Sequence, residues 1–237
     1  MYIARTNSTN TLMRELIATG NPPEYIYAGY QTDGRGQTGN GWESEEGKNL
    51  LCSILLPPRK NLFELNAAVS VAVQRLLGDE FTIKWPNDLY WQDKKIAGIL
   101  IENAIIGNEI KYSIAGIGLN VNQTEWKTDA PNPISLTQIT GKEYDIDALM
   151  QRLYAEVQHA LKEDIWQEYK AHLYRREGFW PFVEREVNAT PTMNADHNEE
   201  NQFLAKIEEI LPTGEIVLRD QQKQQRIYHF KQIRYVV

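Results

Sequence analysis

The stretch FTIKWPNDLYWQDKKIAGILIE, residues 81–102, constrains the fold more than any other part of the chain. It reads as strand, turn, strand, turn, strand: Pro86 with Asn87 and Asp88 makes the first turn, and Gln92 with Asp93 sits at the second. Before it, STNTLMRELIATG offers Ser, Thr and Asn caps, a helical stripe of Leu12, Met13, Leu16 and Ile17, and Gly20 as a stop. EYIYAGYQ and NLLCSILLPP read as strands, the second too apolar to be half exposed. NLFELNAAVSVAVQRLLG is a buried helix capped by Asn61 and closed by Gly78.

After the triple strand, EIKYSIAGIGLNVN reads as another strand. Residues 146–176 carry helical periodicity through Leu149, Leu153, Val157, Leu161, Ile165, Tyr169 and Leu173, too long for one globular helix, so a break is expected near Asp164. From Gly178 the texture changes to short strands between polar turns, with NATPTMNADHNEE as a loop inside them. The expected architecture is α+β: a mixed β-sheet packed with helices over residues 1–177, then a small all-β barrel over residues 178–237.

Composition narrows the function. A net charge of −7, with no basic run, argues against a general nucleic-acid binder. The lone Cys52 excludes an internal disulfide and fits a reducing, cytoplasmic compartment, and its apolar surroundings make it a buried small hydrophobe. No signal peptide and no membrane-length apolar run is apparent, so neither secretion nor a membrane partner is expected. His159, His172, His197 and His229 show no metal-ligand spacing with each other or with Cys52.

Chemistry enters with TDGRGQTGNGW, residues 32–42, where four glycines surround Arg35. Glycine loses more backbone entropy on folding than any other residue, so the cluster needs a reason. Residues 34–39 spell G-x-G-x-x-G, but no helix opens on them and Arg59 and Lys60 stand where a ribose-binding acid belongs. No P-loop lysine follows either. Bare amides around a guanidinium still suit an anion, against the plainer reading of a surface turn. Lys84 closes one strand and Lys95 begins the strand holding Gly98; taken alone, Lys95 reads as a solvated surface lysine. GIGLN, residues 116–120, ends a third strand with two glycines and an amide. Three glycine-bearing loops at strand ends, two with cations, point to one anionic ligand cleft.

STN, YQTDGRGQTGNGW, KWPNDLYWQDKKIAGILIE and GIGLN, in this order, resemble the biotin–protein ligases over residues 8 to about 122. The terminal strands fit that family's small SH3-like domain, and the larger unit its class II synthetase-like catalytic domain. Members that also act as repressors carry an N-terminal DNA-binding domain; none is apparent here, so the resemblance is to the single-function form. It implies that biotin and ATP, with Mg²⁺, give biotinyl-5′-AMP, which a lysine of a carboxylase's biotin carboxyl carrier domain then attacks. Arg35 and Lys95 become the catalytic cations.

By the same resemblance, Ser8, Thr9, Asn10 and Gln31 hydrogen-bond biotin, with Gly34, Arg35, Gly36, Gln37, Lys95, Gly98 and Gly116 around it. Arg35, Gln37, Asn40, Trp42, Lys84, Asp88, Lys95 and Asn120 serve the nucleotide, with Trp42 covering the ligand and Mg²⁺ near Asp88. Roles for Lys84 and Asp88 do not separate. Many members carry further arginines where Gln37 and Asn40 stand, which puts retention of the adenylate in question. The rivals are a lipoate or octanoate ligase of the same fold and a non-catalytic biotin sensor. The family contains dimers built on the exposed edge of the central sheet; the residues here do not decide between monomer and homodimer.

Overall fold

The computed structural model describes residues 1–36, 41–59, 61–107, 109–127, 132–185 and 202–237. Seven strands build the larger sheet: β1 (Tyr2–Thr6), β2 (Tyr25–Gln31), β3 (Leu50–Leu56), β4 (Phe81–Lys84), β5 (Asp88–Trp91), β6 (Lys94–Ile106) and β7 (Glu109–Leu119). They lie in the order β1-β2-β3-β7-β6-β5-β4, with β1 parallel to β2 and the other neighbours antiparallel. The expected triple strand is therefore β4, β5 and β6, and the sheet is mixed because of β1. Residues 2–6 carry no strand signal in the sequence, being a half-exposed edge that lacks a clean apolar alternation.

Side chains alternate across this sheet and sort its two faces. On β3, Leu50, Cys52, Ile54 and Leu56 enter the main core with α2 (Leu62–Leu77) and α4 (Ile146–Ala160). Leu55 and Ser53 face the other way, toward α1 (Thr9–Ala18), where Met13, Ile26 and Ile114 make a small second core. The site lies on this second face.

Asn61 caps α2 by accepting from the Phe63 and Glu64 N–H groups, and Gly78 ends it at φ +113°, where a side chain would be strained. The long periodic segment breaks as expected: α4 stops at Ala160, and the Asp164 carboxylate accepts from Trp166 N–H at the start of α5 (Trp166–Ala171). A five-residue helix, α3 (Leu136–Thr140), is held by a Ser135–Gln138 capping box and is too short to show a period in the sequence.

The second sheet is antiparallel: β8 (Trp180–Glu184), β9 (Gln202–Ile210), β10 (Ile216–Asp220), β11 (Gln225–Tyr228) and β12 (Ile233–Tyr235), in the order β11-β10-β9-β8-β12. The loop read at 188–200 lies outside the described residues. Phe182, Ile210, Ile216, Leu218 and Tyr235 join the same buried cluster as Ile83, Trp85 and Leu89 of the first sheet. Trp85 Nε1 donates across this boundary to the Gly214 carbonyl at 3.0 Å. No helix of the described residues is long and apolar enough to cross a membrane.

Candidate active site

Ser8 stands at the N-cap of α1 in extended conformation, yet its side chain makes no capping bond. Gln31, the last residue of β2, satisfies the helix start instead. Its Oε1 accepts from the Thr9 N–H at 2.7 Å and from the Thr9 hydroxyl at 3.0 Å. Ser8, Thr9 and Asn10 are all buried, which is unusual for polar residues at a helix start and places them on the sheet.

Asn10 is spent on the protein itself. Its Oδ1 accepts from the Ser53 hydroxyl at 2.6 Å, and its Nδ2 donates to Glu102 Oε2 at 2.8 Å and to the Leu100 carbonyl at 3.4 Å. Gly116 makes room for this: a Cβ there would stand 2.5 Å from Asn10 Oδ1. The close approach that the glycine permits is thus filled by a side chain of the chain.

Glu102 ties three groups together, although no motif in the sequence marks it. Besides Asn10, its Oε2 takes Arg14 Nη2 at 3.0 Å and lies 3.8 Å from Arg35 Nη2. Arg35 also donates to the Thr11 hydroxyl at 2.8 Å. The two ends of the glycine loop pair with each other, through an Arg35–Gly41 bridge and a Trp42 N–H bond to the Gly34 carbonyl at 2.8 Å. Gly36 follows Arg35 directly in the chain; Gln37 and Asn40, expected to touch ligand, lie outside the described residues.

Lys95 reaches the site through a β-bulge. Asp88 pairs with Gly98 and Leu89 with Ala97, but Tyr90 pairs with Lys95, so Ile96 is the extra residue. Ile96 and Ala97 both turn into the main core, and Lys95 moves to the face that carries Gly98. Strict alternation from Gly98 would have turned Lys95 away. Its Nζ meets Asp88 Oδ1 at 2.8 Å and sits 5.8 Å from the centre of the Trp42 ring. Lys95 is therefore not the solvated surface lysine that its place at a strand start suggests: its side chain is 30% exposed, paired with Asp88, and lies against an indole.

Trp42 lies on a floor of two paired glycines. A Cβ on Gly118 would stand 2.4 Å from the indole, and one on Gly98 would stand 3.0 Å away. A Cβ on Gly34 would meet the Trp42 carbonyl at 2.7 Å. Only backbone without side chains lets the ring sit this low. An open cleft of about 720 Å³ lies elsewhere, lined by Arg59, Asn61, Glu64, Trp166 and Pro212 among others.

Lys84 and Asp88, inseparable by spacing, part company. Asp88 serves Lys95, whereas Lys84 Nζ donates to the Tyr90 hydroxyl at 2.9 Å, beneath the second sheet. Burial holds the Lys84 ammonium down, to about 8, partly offset by the nearby Asp88 charge. Asn120, at the end of β7, is buried; its Nδ2 donates to the Ile134 carbonyl at 3.0 Å and the Lys95 carbonyl at 3.4 Å.

Two buried polar atoms here have no hydrogen-bond partner among the described residues: Asn120 Oδ1, an acceptor, and Trp42 Nε1, a donor. Such groups are rare in folded proteins because an unmade buried bond is costly. One face of the sheet therefore carries a polar recess at the start of α1, two cations, and an indole on glycine. That arrangement suits a ligand with a polar head and an anionic tail.

The fold and these residues agree with one family. The sequence model of the Biotin/lipoate A/B protein ligase family matches residues 2–120, from β1 to the end of β7, and the chain belongs to that family. The Bifunctional ligase/repressor BirA of Bacillus spizizenii is 35% identical over 161 residues, which is 62% of this chain and 49% of that protein. The chain thus spans about half the length of that relative. The Biotin–[acetyl-CoA-carboxylase] ligase of Paracoccus denitrificans is 28% identical over 164 residues, covering 64% of this chain and 68% of its own. In three dimensions the chain resembles the biotin protein ligase from Aquifex aeolicus, solved in complex with biotin and ATP. The TM-score is 0.78 over 100% of this chain and 98% of that one, at 22% identity, a likeness of fold.

Proposed function

We propose that this chain joins biotin to a lysine of an acceptor protein in two steps. Biotin's carboxylate attacks the α-phosphate of ATP to give biotinyl-5′-AMP and pyrophosphate. The acceptor lysine then attacks the acyl carbon and AMP leaves. The observation that carries the reading is that Arg35 and Lys95 lie on the same glycine-floored face as Ser8, Thr9 and Gln31. Bringing a carboxylate to a phosphate joins anion to anion, so the approach needs fixed cations, and these two are the candidates.

Ser8, Thr9 and the Gln31 amide nitrogen would bind the ureido head, whose N–H and C=O groups need partners once buried. Asn10 would act through its grip on Ser53 and Glu102 rather than through the ring. Asn120 Oδ1 and Trp42 Nε1 would meet the nucleotide, and Lys84 the phosphates. Among the described residues no three His, Cys, Asp or Glu side chains gather as a metal site. A lone carboxylate, Asp88, fits Mg²⁺ carried in by the triphosphate, since that ion is usually held by one or two carboxylates plus phosphate oxygens. The ion would add positive charge where the two anions meet.

The acceptor proposed is the carrier domain of a biotin-dependent carboxylase, in keeping with the name of the Paracoccus relative. Residues 1–177 would bind biotin and ATP, and residues 178–237 would complete the unit. The alternative of an octanoyl transfer through cysteine is disfavoured by Cys52, which is fully buried with its thiol pushed up to about 12 by desolvation. Pyrophosphate release tests the choice: it should require biotin and should not occur with lipoate or octanoate. Release with lipoate alone would overturn the proposal in favour of the rival ligase. Biotin binding without any release would favour the sensor.

A further inference from the structure

Lys84 sits where the two sheets meet, in an aromatic enclosure with walls from both. Its Nζ lies 4.6 Å from the centre of the Tyr90 ring on β5 and 5.5 Å from that of Tyr235 on β12. Tyr174 packs on Tyr90 at 5.1 Å and on Tyr235 at 5.8 Å, and Phe182 backs Tyr235 at 4.9 Å. The end of β12 is fastened from outside its own sheet. Arg175 Nη1 donates to the Val236 carbonyl at 2.6 Å, while Arg175 Nη2 reaches Asp93 Oδ1 at 3.3 Å. Asp93 in turn accepts from the Tyr174 hydroxyl. The Tyr235 hydroxyl is buried with no partner among the described residues, so what Tyr235 offers Lys84 is its ring face.

A cation over an aromatic face is held by the ring's negative quadrupole, most strongly where water is excluded. We infer that Tyr235 is a positioning residue. Through its ring, the last strand of the small sheet fixes the Lys84 ammonium, so adenylation depends on how that sheet is seated, although Tyr235 touches no substrate. This rests on the reading of Lys84 as a phosphate-binding cation given above. It assigns the second sheet a defined part in the first half-reaction.

The test uses the full chain with three replacements at 235: Tyr235→Phe, Tyr235→Leu, and pentafluorophenylalanine, which keeps the ring's shape but removes its negative face. Biotin-dependent pyrophosphate release is measured with KM for ATP and kcat separated, alongside transfer from preformed biotinyl-5′-AMP to acceptor. Tyr235→Leu and the fluorinated ring are expected to raise KM for ATP about tenfold. They should leave KM for biotin and the transfer step within about twofold, and Tyr235→Phe should match the parent. With Lys84→Met already present, Tyr235→Leu should add nothing.

The inference is overturned if both half-reactions fall together, if Tyr235→Phe is as impaired as Tyr235→Leu, or if the losses add to those of Lys84→Met. Should Tyr235→Leu not fold, the fluorinated ring decides alone, and an unchanged KM for ATP sinks the idea. A readout without turnover separates this from failure of the proposed activity. In ¹³C-lysine-labelled protein, the ring-current shift of the Lys84 methylene next to Nζ should move on Tyr235→Leu and stay on Tyr235→Phe. An unmoved signal contradicts the inference even if the chain proves to be no ligase.

Discussion

Lys95 owes its position to one extra residue. Without the bulge at Ile96 it would lie on the core side of the sheet, where an ammonium costs several kcal/mol to desolvate. With it, Lys95 faces Asp88 and Trp42. Lys95→Ala is therefore expected to slow adenylate formation by about 10²–10³, the usual loss for one transition-state donor. The thermal midpoint should barely move, because a partly exposed ion pair contributes only about 0–1 kcal/mol. Near-normal pyrophosphate release from folded Lys95→Ala would remove Lys95 from the mechanism. The motif KKIAGIL made Lys95 legible as a site residue, but not its direction: a bulge is set by cross-strand register, which a single strand's sequence does not display.

A second residue-scale expectation concerns pH. Burial favours neutral Lys84, so its ammonium is intact below about pH 8 and is lost as pH rises through that value. Its charged neighbours are Asp88, Lys95, Arg175 and Arg234. If the charge serves ATP, adenylation should decline on the alkaline side near pH 8, and Lys84→Arg should carry that limb upward, since arginine stays charged. An alkaline limb identical in both proteins would mean that another group titrates there. Glu102 carries no signal of its role in the sequence. Its position at the end of KKIAGILIE was visible, but its three partners arrive from residues 10, 14 and 35, and only the fold brings them together.

Among the elements, β6 and β7 matter most, because their paired glycines decide how low Trp42 can sit. Gly98 and Gly118 face each other across the ladder, and the indole rests on both. Gly118→Ala would put a methyl 2.4 Å from the ring, so the ring must leave. Escape of preformed biotinyl-5′-AMP should then quicken by about tenfold or more, since roughly 1.4 kcal/mol is one decade. The dissociation rate without acceptor checks this; an unchanged rate would mean that Trp42 does not cover the adenylate. Long or strongly apolar elements, such as α2 and β3, are readable from the chain alone. Short elements with few repeats, β1 and α3, are not, because their existence rests on pairing with β2 and on a local capping box. Glycine clustering was readable as a demand for close approach; that the approaching groups include Asn10 and Trp42 was not.

For the whole molecule, the two sheets share one buried cluster instead of meeting as separate bodies. Ile83, Trp85 and Leu89 belong to the same buried cluster as Phe182, Ile210 and Tyr235 of the small sheet, and burying a side chain of that kind contributes about 1.5–3 kcal/mol. A chain stopped after Glu177 is expected to lose cooperative thermal unfolding as well as activity; a soluble, cooperatively folding truncation with full turnover would show the small sheet dispensable. Everything above turns on whether this cleft activates biotin with ATP. The most direct measurement is pyrophosphate release by the purified full chain, with biotin, lipoate or neither, followed by transfer of labelled biotin to a carboxylase carrier domain. Release is expected only with biotin, then label on a carrier lysine with AMP set free. Release driven by lipoate, or bound biotin with no pyrophosphate at all, would contradict it.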